Sequence, residues 1–427
     1  MAKKEPLFFK IFTQFIQYGE MKITFQNAKQ YPHTLTATGA MTGKSVAICL
    51  QNLSDLRKIT LNPELAIPEA FMDGRLTLHE TTLDDFIIFL FHNRKIFAKT
   101  PVGRLMGLVK RWKARLSTAI KRKAAKQNVA HHYDLTDALY ACFLDNRRQY
   151  SCAYYESETD SLELAQHQKI ARIGAKLRLK AGAQVLDIGC GWGELAYGLS
   201  ALEKNIHVHG ITLSDNQIDY AINEVAKRDK TPNLSFSLQD YRDETGHYDN
   251  IVSVGMLEHV GRKAYDRYFS VVDHCLNEDG TALIHTIGKR RAELSTNRFI
   301  DKYIFPGGYL PTLSDLATSL AKYDLHIADV ECLHTHYAQT LKHWRERCEA
   351  NKDKLISLYD ERFYRMWLFY LISCEHFFRL DEGVVYQIQL IKKRSVKPST
   401  RDYIKAKEQI YLKKLWQQKP PSGNMSP

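Results

Sequence analysis

Hydrophobic and polar positions change period along this chain, and the changes divide it into regions. From about 129 to 290, short apolar runs alternate with segments of helical spacing. Strands are expected at Gln184–Ile188, His207–Thr212, Leu234–Gln239, Tyr248–Val254 and Ala282–Ile287. Helices are expected between them, over Gly193–Leu202, Asp215–Lys227 and Arg262–Cys275. That order implies a mostly parallel sheet covered on both faces. Residues 1–97 read as a smaller α+β unit, with short strands at Ser45–Leu50 and Lys58–Leu61 and a helix over Leu83–Phe97. Residues 293–391 are mixed, with aromatic-rich helices near 338–350 and 353–379. The longest apolar stretches, Phe86–Phe91 and Met366–Ser373, are too short to span a bilayer. The expected organisation is an α+β unit over 1–97, a linker helix over 98–128, an α/β domain over 129–395 and a partly disordered basic tail over 396–427.

Charge changes the picture in the linker. Residues 104–126 hold nine Lys/Arg and no acid, while Leu105, Leu108, Trp112, Leu116 and Ile120 form one apolar stripe at spacings of three and four. Such a helix can lie in the interface of an anionic bilayer, or dock on a neighbouring domain by the same stripe. The whole chain carries a net charge of +12, which favours association with something acidic. The eight cysteines include no Cys-x-x-Cys pair, which argues against a zinc ribbon or a redox dithiol. No sustained apolar leader follows the first residues. A cytoplasmic protein with reduced thiols is expected, with no metal.

The first strand of the α/β region runs directly into Gly189-Cys190-Gly191-Trp192-Gly193, which opens a helix. Glycines there permit tight turning and close backbone approach to a ligand. A dinucleotide site would show Gly-x-Gly-x-x-Gly and a carboxylate on the ribose about 20 residues on. Here the spacing is Gly-x-Gly-x-Gly, and the second strand ends in Ile211-Thr212-Leu213-Ser214 without an acid. Asp187 suits a ligand ammonium. Thr212, Asn216 or Gln217 must then serve the ribose, and Asp240 is placed to accept from an adenine amino group. This combination fits S-adenosylmethionine, so the α/β domain is expected to be a Rossmann-like class I S-adenosylmethionine-dependent methyltransferase fold. Tyr150, Ser151, Asp187, Gly189, Gly191, Gly193, Thr212, Gln217, Asp240 and Tyr241 make up the candidate cofactor set.

Further motifs occur in order: His132-Tyr133-Asp134-Leu135, Gln149–Tyr154, Leu186–Gly193, Gly255–Gly261 (Gly-Met-Leu-Glu-His-Val-Gly), His285–Gly288 and Tyr303–Gly308. In that sequence they resemble the cyclopropane-fatty-acyl-phospholipid synthases, densely over about 129–391 and more loosely at Glu69–Gly74. The resemblance implies methylene transfer to the cis double bond of a phospholipid acyl chain, through a carbocation whose new methyl is deprotonated by a bound bicarbonate ion. It implies a bicarbonate cradle of Cys152, Glu258, His285, Ile287 (through its backbone) and Tyr337, with Glu258 and His285 passing the proton outward. Tyr303 and Phe305 would offer electron-rich faces along the acyl path. Cys374 matches a cysteine long treated as the family's active-site thiol, yet alkene methylation has no thiolate step, so it stands as a site candidate or a structural residue.

Two alternatives accompany that reading. One is a related lipid C-methyltransferase leaving a methyl branch. The other, less favoured, is a non-catalytic membrane lipid-binding protein. A nucleic-acid methyltransferase would show Asn/Asp-Pro-Pro-aromatic or Pro-Cys after the fourth strand, where this chain has Glu258-His259-Val260, so no nucleic-acid partner is expected. The expected partner is an anionic phospholipid surface, met from the inner face of the membrane. The N-terminal unit is expected either to position the catalytic domain or to mediate a homodimer.

Overall fold

The computed structural model describes residues 7–27, 33–99, 135–228, 233–291, 297–380, 382–392 and 400–418. The linker stripe at 104–126, His132–Asp134 and the final residues from 419 lie outside the described residues. Two compact units are present. The first comprises 1–139, 293–307 and 345–376, and the second 140–292, 308–344 and 377–427.

The first unit contains a four-stranded sheet in the order β2-β1-β3-β4, made from β1 (Tyr18–Phe25), β2 (Thr34–Thr38), β3 (Met41–Leu50) and β4 (Leu76–His79). β1 alternates buried with partly exposed positions, the mark of a sheet with one apolar face. The helix Leu83–Phe97 starts at Thr82, whose side chain accepts from the Asp85 N–H, and carries Asp84 and Asp85 in its first turn, where the helix dipole favours negative charge. The strand expected at Lys58–Leu61 is not formed: those residues end the helix Leu53–Leu61. Asp55, Leu56, Ile59 and Thr60 are its buried residues, a spacing of three and four that reads as a helical face over a longer window than four residues.

The second unit is built on a seven-stranded sheet in the order β10-β11-β9-β8-β5-β6-β7. Its strands are β5 (Gln184–Ile188), β6 (His207–Thr212), β7 (Leu234–Leu238), β8 (Tyr248–Val254), β9 (Leu276–Lys289), β10 (His326–Cys332) and β11 (Gly383–Ile391). Neighbours from β7 to β9 are parallel, and β11 runs antiparallel to both β9 and β10. Successive strand residues serve opposite cores. Val185, Val208, Val252 and Leu283 join the cluster holding Ile170, Leu202 and Tyr411. Leu186, Ile211, Ile251 and Ile284 join the one holding Tyr268, Phe269 and Leu316. This is the two-sided burial that parallel strands require.

The expected strands coincide with the observed ones, except that β9 is longer at both ends and β7 stops one residue earlier. The helix expected over Asp215–Lys227 is regular only to Tyr220 and continues as a π-helical turn, Ala221–Val225. β10, β11 and the helix Leu162–Leu177 were not anticipated. Among the described residues, no helix is long and apolar enough to cross a membrane, and all eight cysteines are free.

One buried ionic cluster ties the second unit together. Lys176, nearly inaccessible, donates to Glu331 on β10 and to Gln387 on β11. Arg172, one turn earlier, pairs with Glu331 and with Glu408 of the helix Asp402–Trp416. Removing Glu331 strands the buried Lys176 charge, whereas removing Lys176 leaves Glu331 paired with Arg172 and partly exposed. Glu331→Ala should therefore cost about 3 kcal/mol, the low end for a broken buried pair because Glu331 keeps some exposure, while Lys176→Met should cost under about 1.5 kcal/mol, as a volume-conserving swap that leaves Glu331 its Arg172 partner. Urea unfolding of the two variants measures the asymmetry, and equal losses would show that the cluster is not acting through stranded charge.

Candidate active site

The carboxyl ends of the parallel strands carry the candidate groups, as open α/β sheets lead one to expect. β5 ends at Asp187-Ile188 and passes into the glycine loop. Gly191 has φ +56°, and a Cβ built there would meet nothing within 4 Å, so the backbone faces open space where a ligand can approach closely. Gly193 has φ +82°, and its Cβ would come within 2.6 Å of the Phe236 ring and 3.1 Å of Ala221. Only glycine lets the following helix, Glu194–Ser200, start this close to its neighbours.

Asp187 is 1% exposed, and neither of its carboxylate oxygens has a hydrogen-bond partner. Burial pushes its carboxyl up to about 7, and Lys169 acts against that rise. A buried carboxylate without donors is costly. It is also what a ligand ammonium would satisfy, so the residues present fit S-adenosylmethionine. Thr212, at the end of β6, donates to Gln217 Oε1 at 3.0 Å, and the structure thus joins two of the ribose candidates. Asp240 follows β7 as expected, but its carboxylate accepts from the backbone and guanidinium of Arg242. Tyr241 is buried against Tyr268, ring centroids 5.4 Å apart. Tyr150 stacks near Trp344 at 5.2 Å, and Tyr140 lies 4.7 Å from the Trp192 ring of the glycine loop.

Beside the cofactor loop, β8 and β9 supply the candidate cradle. Glu258 sits in the short helix Leu257–Val260 just beyond β8. Its Oε1 accepts from the Ile287 N–H at 2.6 Å, and its buried Oε2 has no partner. Burial pushes its carboxyl up to about 7, against the hydrogen bond from Ile287. His285, two residues before Ile287 on β9, is 2% exposed, with Nδ1 at 3.1 Å from Gln387 Nε2. Burial, with Lys169 and Lys176 nearby, pushes its imidazole down to about 3, so it is neutral at physiological pH. Cys152 is buried and its thiol is held well above the ordinary range by burial. The next residue, Ala153, donates its N–H to Thr340 Oγ1 at 3.0 Å, one helical turn from Tyr337. Tyr337 packs against Phe378 and Trp344.

The structure therefore hydrogen-bonds Glu258 to Ile287, places His285 two residues earlier on the same strand with Gln387 as its partner, and sets Cys152 beside the helix that carries Tyr337. The unpartnered Glu258 Oε2 is an acceptor that the O–H of a bicarbonate ion would satisfy, and Cys152 and Tyr337 could donate, so these residues fit that ion, whereas the Ile287 N–H expected in the cradle is given to Glu258 Oε1. Tyr303, Phe305 and Cys374 belong to the first unit. There the Tyr303 hydroxyl donates to Glu69 at 2.7 Å, Lys302 lies 4.8 Å from the Tyr303 ring centroid, and Phe305 packs on Tyr370. Cys374 lies on the helix Glu361–Arg379, and burial pushes its thiol up to about 12.

Sequence reasoning missed Lys169, Gln387 and Thr340. Lys169 was detectable: it falls on the stripe Leu162, Ala165, Lys169, Ile173 at spacings of three and four, so a charge interrupts an apolar face. Gln387 and Thr340 carried no such signal.

The chain is similar to known proteins in sequence and fold. The family described as mycolic acid cyclopropane synthetase matches residues 120–388. Cyclopropane-fatty-acyl-phospholipid synthase of Escherichia coli is 41% identical over 275 residues, 64% of this chain and 70% of that protein. Tuberculostearic acid methyltransferase of Mycobacterium tuberculosis is 38% identical over 284 residues, 64% of this chain and 66% of that protein. The crystal structure of mycolic acid cyclopropane synthase CmaA1 complexed with SAH and CTAB superposes with a TM-score of 0.58 at 34% identity, covering 62% of this chain and 96% of that one. With the family match over residues 120–388 and the 41% identity to the Escherichia coli synthase, this chain belongs to the mycolic acid cyclopropane synthetase family of S-adenosylmethionine-dependent methyltransferases.

Proposed function

We propose that this enzyme transfers a methylene group from S-adenosylmethionine to the cis double bond of an unsaturated phospholipid acyl chain, with a bound bicarbonate ion assisting the loss of a proton. One observation carries the reading: an unpartnered buried carboxylate suited to a cationic methyl donor, Asp187, and a second one suited to proton transfer, Glu258, lie at the same edge of one sheet. The identity with the Escherichia coli synthase supports the choice of acceptor.

The methyl donor supplies an electrophilic sulfonium methyl, and bicarbonate supplies a small base. This chain's residues do the rest. Asp187 meets the donor's ammonium, and the open backbone at Gly191 lets the donor sit close. The alkene π electrons would form the new C–C bond to the methyl as the sulfonium S–C bond breaks, its electron pair leaving with S-adenosylhomocysteine, and a carbocation would remain on the acyl chain. One proton must then leave that methyl so that its C–H electrons close the ring. Glu258, with Oε1 fixed by the Ile287 N–H, presents Oε2 as the group that carries the proton away. His285 stays neutral, so it adds no positive charge that would repel the cation. Both Cys152 and Cys374 stay protonated thiols near neutral pH, which supports a structural role for Cys374.

The tuberculostearic acid methyltransferase at 38% identity favours one second reading, a methyl-branched product. Incubation with labelled S-adenosylmethionine and unsaturated phospholipid vesicles separates the two. A gain of CH2 with loss of the double bond is expected. A methyl branch would select the second reading, and the absence of any lipid product would remove both.

Glu258 accepts a proton only when ionised, so at saturating methyl donor kcat should fall as pH drops through about 7. Glu258→Gln should lower kcat by about 10²-fold or more, the usual scale for a proton-transfer group, and abolish that acid limb while leaving cofactor affinity unchanged. A Gln variant with wild-type kcat would exclude Glu258 from proton transfer.

An acyl double bond lies within a leaflet, so the enzyme is proposed to work from a membrane surface, drawn there by its net charge of +12. Replacing Lys110, Arg111, Lys113 and Arg115 with glutamine should weaken binding to anionic vesicles by about 1 kcal/mol per charge near the surface. Sedimentation of vesicles with bound protein measures it, and unchanged binding would remove the 104–126 stripe from the account.

A further inference from the structure

Lys169 is a fully buried lysine, 0% exposed, on the helix Leu162–Leu177. Buried lysines are rare unless paired. Lys169 shares a helix face with Gln166, three residues earlier. Gln166 Nε2 donates to the carbonyls of Gln149 and Ser151 at 3.2 and 3.1 Å. The Lys169 ammonium donates to Ser151 Oγ at 2.7 Å. The helix thus grips the stretch that carries Tyr150, Ser151 and Cys152.

The titratable groups facing Lys169 are Asp145, Asp187 and the Cys152 thiol, which stays protonated, with His285 also within its field. Asp145 is already supplied with donors, the N–H groups of Arg147 and Gln149 at 2.9 and 2.8 Å. Asp187 has none. Besides Lys169, the groups whose titration feels Asp187 are Cys190 and Tyr268, both neutral at physiological pH. Lys169 is therefore the positive charge against which the bare Asp187 carboxylate is set.

We propose that Lys169 is a positioning residue for the methyl donor: its ammonium holds Ser151 and favours the ionised form of Asp187, ready for the amino-acid end of the ligand. Burial alone drives Asp187 toward its neutral form, and Lys169 opposes it. A nearby cation typically lowers a carboxyl pKa by about 1–3 units. Without it, Asp187 is mostly protonated at neutral pH and offers a ligand ammonium a neutral acid. The inference rests on the cofactor reading alone and is independent of the acyl acceptor.

The test uses the full chain and two ligands. S-adenosylhomocysteine carries the amino-acid end, and 5′-methylthioadenosine shares the adenosine and sulfur but lacks it. In calorimetric titrations at neutral pH, Lys169→Met should weaken S-adenosylhomocysteine by about tenfold or more, one pKa unit's worth, and leave methylthioadenosine within about twofold, less than a third of that unit. The pH midpoint for S-adenosylhomocysteine binding should also move upward. Lys169→Gln, which keeps a donor for Ser151 without the charge, should show the same selective loss and serves if the methionine variant does not fold. Equal weakening of both ligands would mean a merely structural lysine and overturn the inference, as would wild-type affinity in either variant. Failure of the wild-type chain to bind S-adenosylhomocysteine would overturn the cofactor reading itself.

Discussion

The constraint on which this enzyme's chemistry depends is the cost of keeping carboxylates away from water. Asp187 and Glu258 both lie at the carboxyl edge of the parallel sheet, both are buried, and each has at least one oxygen without a donor. In water, neither would hold a proton at physiological pH. In the fold, both carboxyls are pushed up to about 7. The two differ in what tempers the burial. A lysine charge acts on Asp187, and a backbone N–H acts on Glu258. One is thereby suited to hold a cation and the other to exchange a proton, the division of roles that environment rather than residue type decides.

The sheet makes this affordable in structural terms. Its strands are apolar on both faces, and its two cores pack the helices tightly on either side. A polar group within the sheet must then find its partner there. His285 illustrates the result: it lies on β9 opposite Gln387 on β11, and the glutamine amide meets Nδ1. The tautomer and ring orientation are set by a residue about 100 positions away in sequence.

Much of this was legible in the sequence. β5, β6 and β8 form over the expected residues because short β-branched runs bounded by glycine or polar turns have few other options. Asp187 stood out at the end of a strand that runs into a glycine loop, whereas Glu258 and His285 were singled out by the resemblance to the synthase family. β11 was not. It alternates apolar and polar residues in Val385-Tyr386-Gln387-Ile388-Gln389, which reads as a half-exposed edge, yet every one of its positions is buried. Gln387 and Gln389 are satisfied by Lys176, His285 and Tyr403, partners that local pattern does not reveal. The segment Lys58–Leu61 failed for the opposite reason. Four residues suit a short strand, and only the longer window shows the helical face.

The place of β11 has a consequence for how the chain acquires its structure. It is the last strand in sequence, yet it lies inside the sheet, between β9 and β10. Until it inserts, β9 presents an open hydrogen-bonding edge and His285 lacks its amide partner. Long-range pairing of this kind is slow to form and leaves aggregation-prone edges exposed meanwhile. The donor-side strands wait as well, because the core on which Val185 and Val208 pack is completed by Ile404, Tyr411 and Leu415 of the final helix. Both halves of the site thus depend on the last stretch of the chain, from β11 onward, leaving the ribosome.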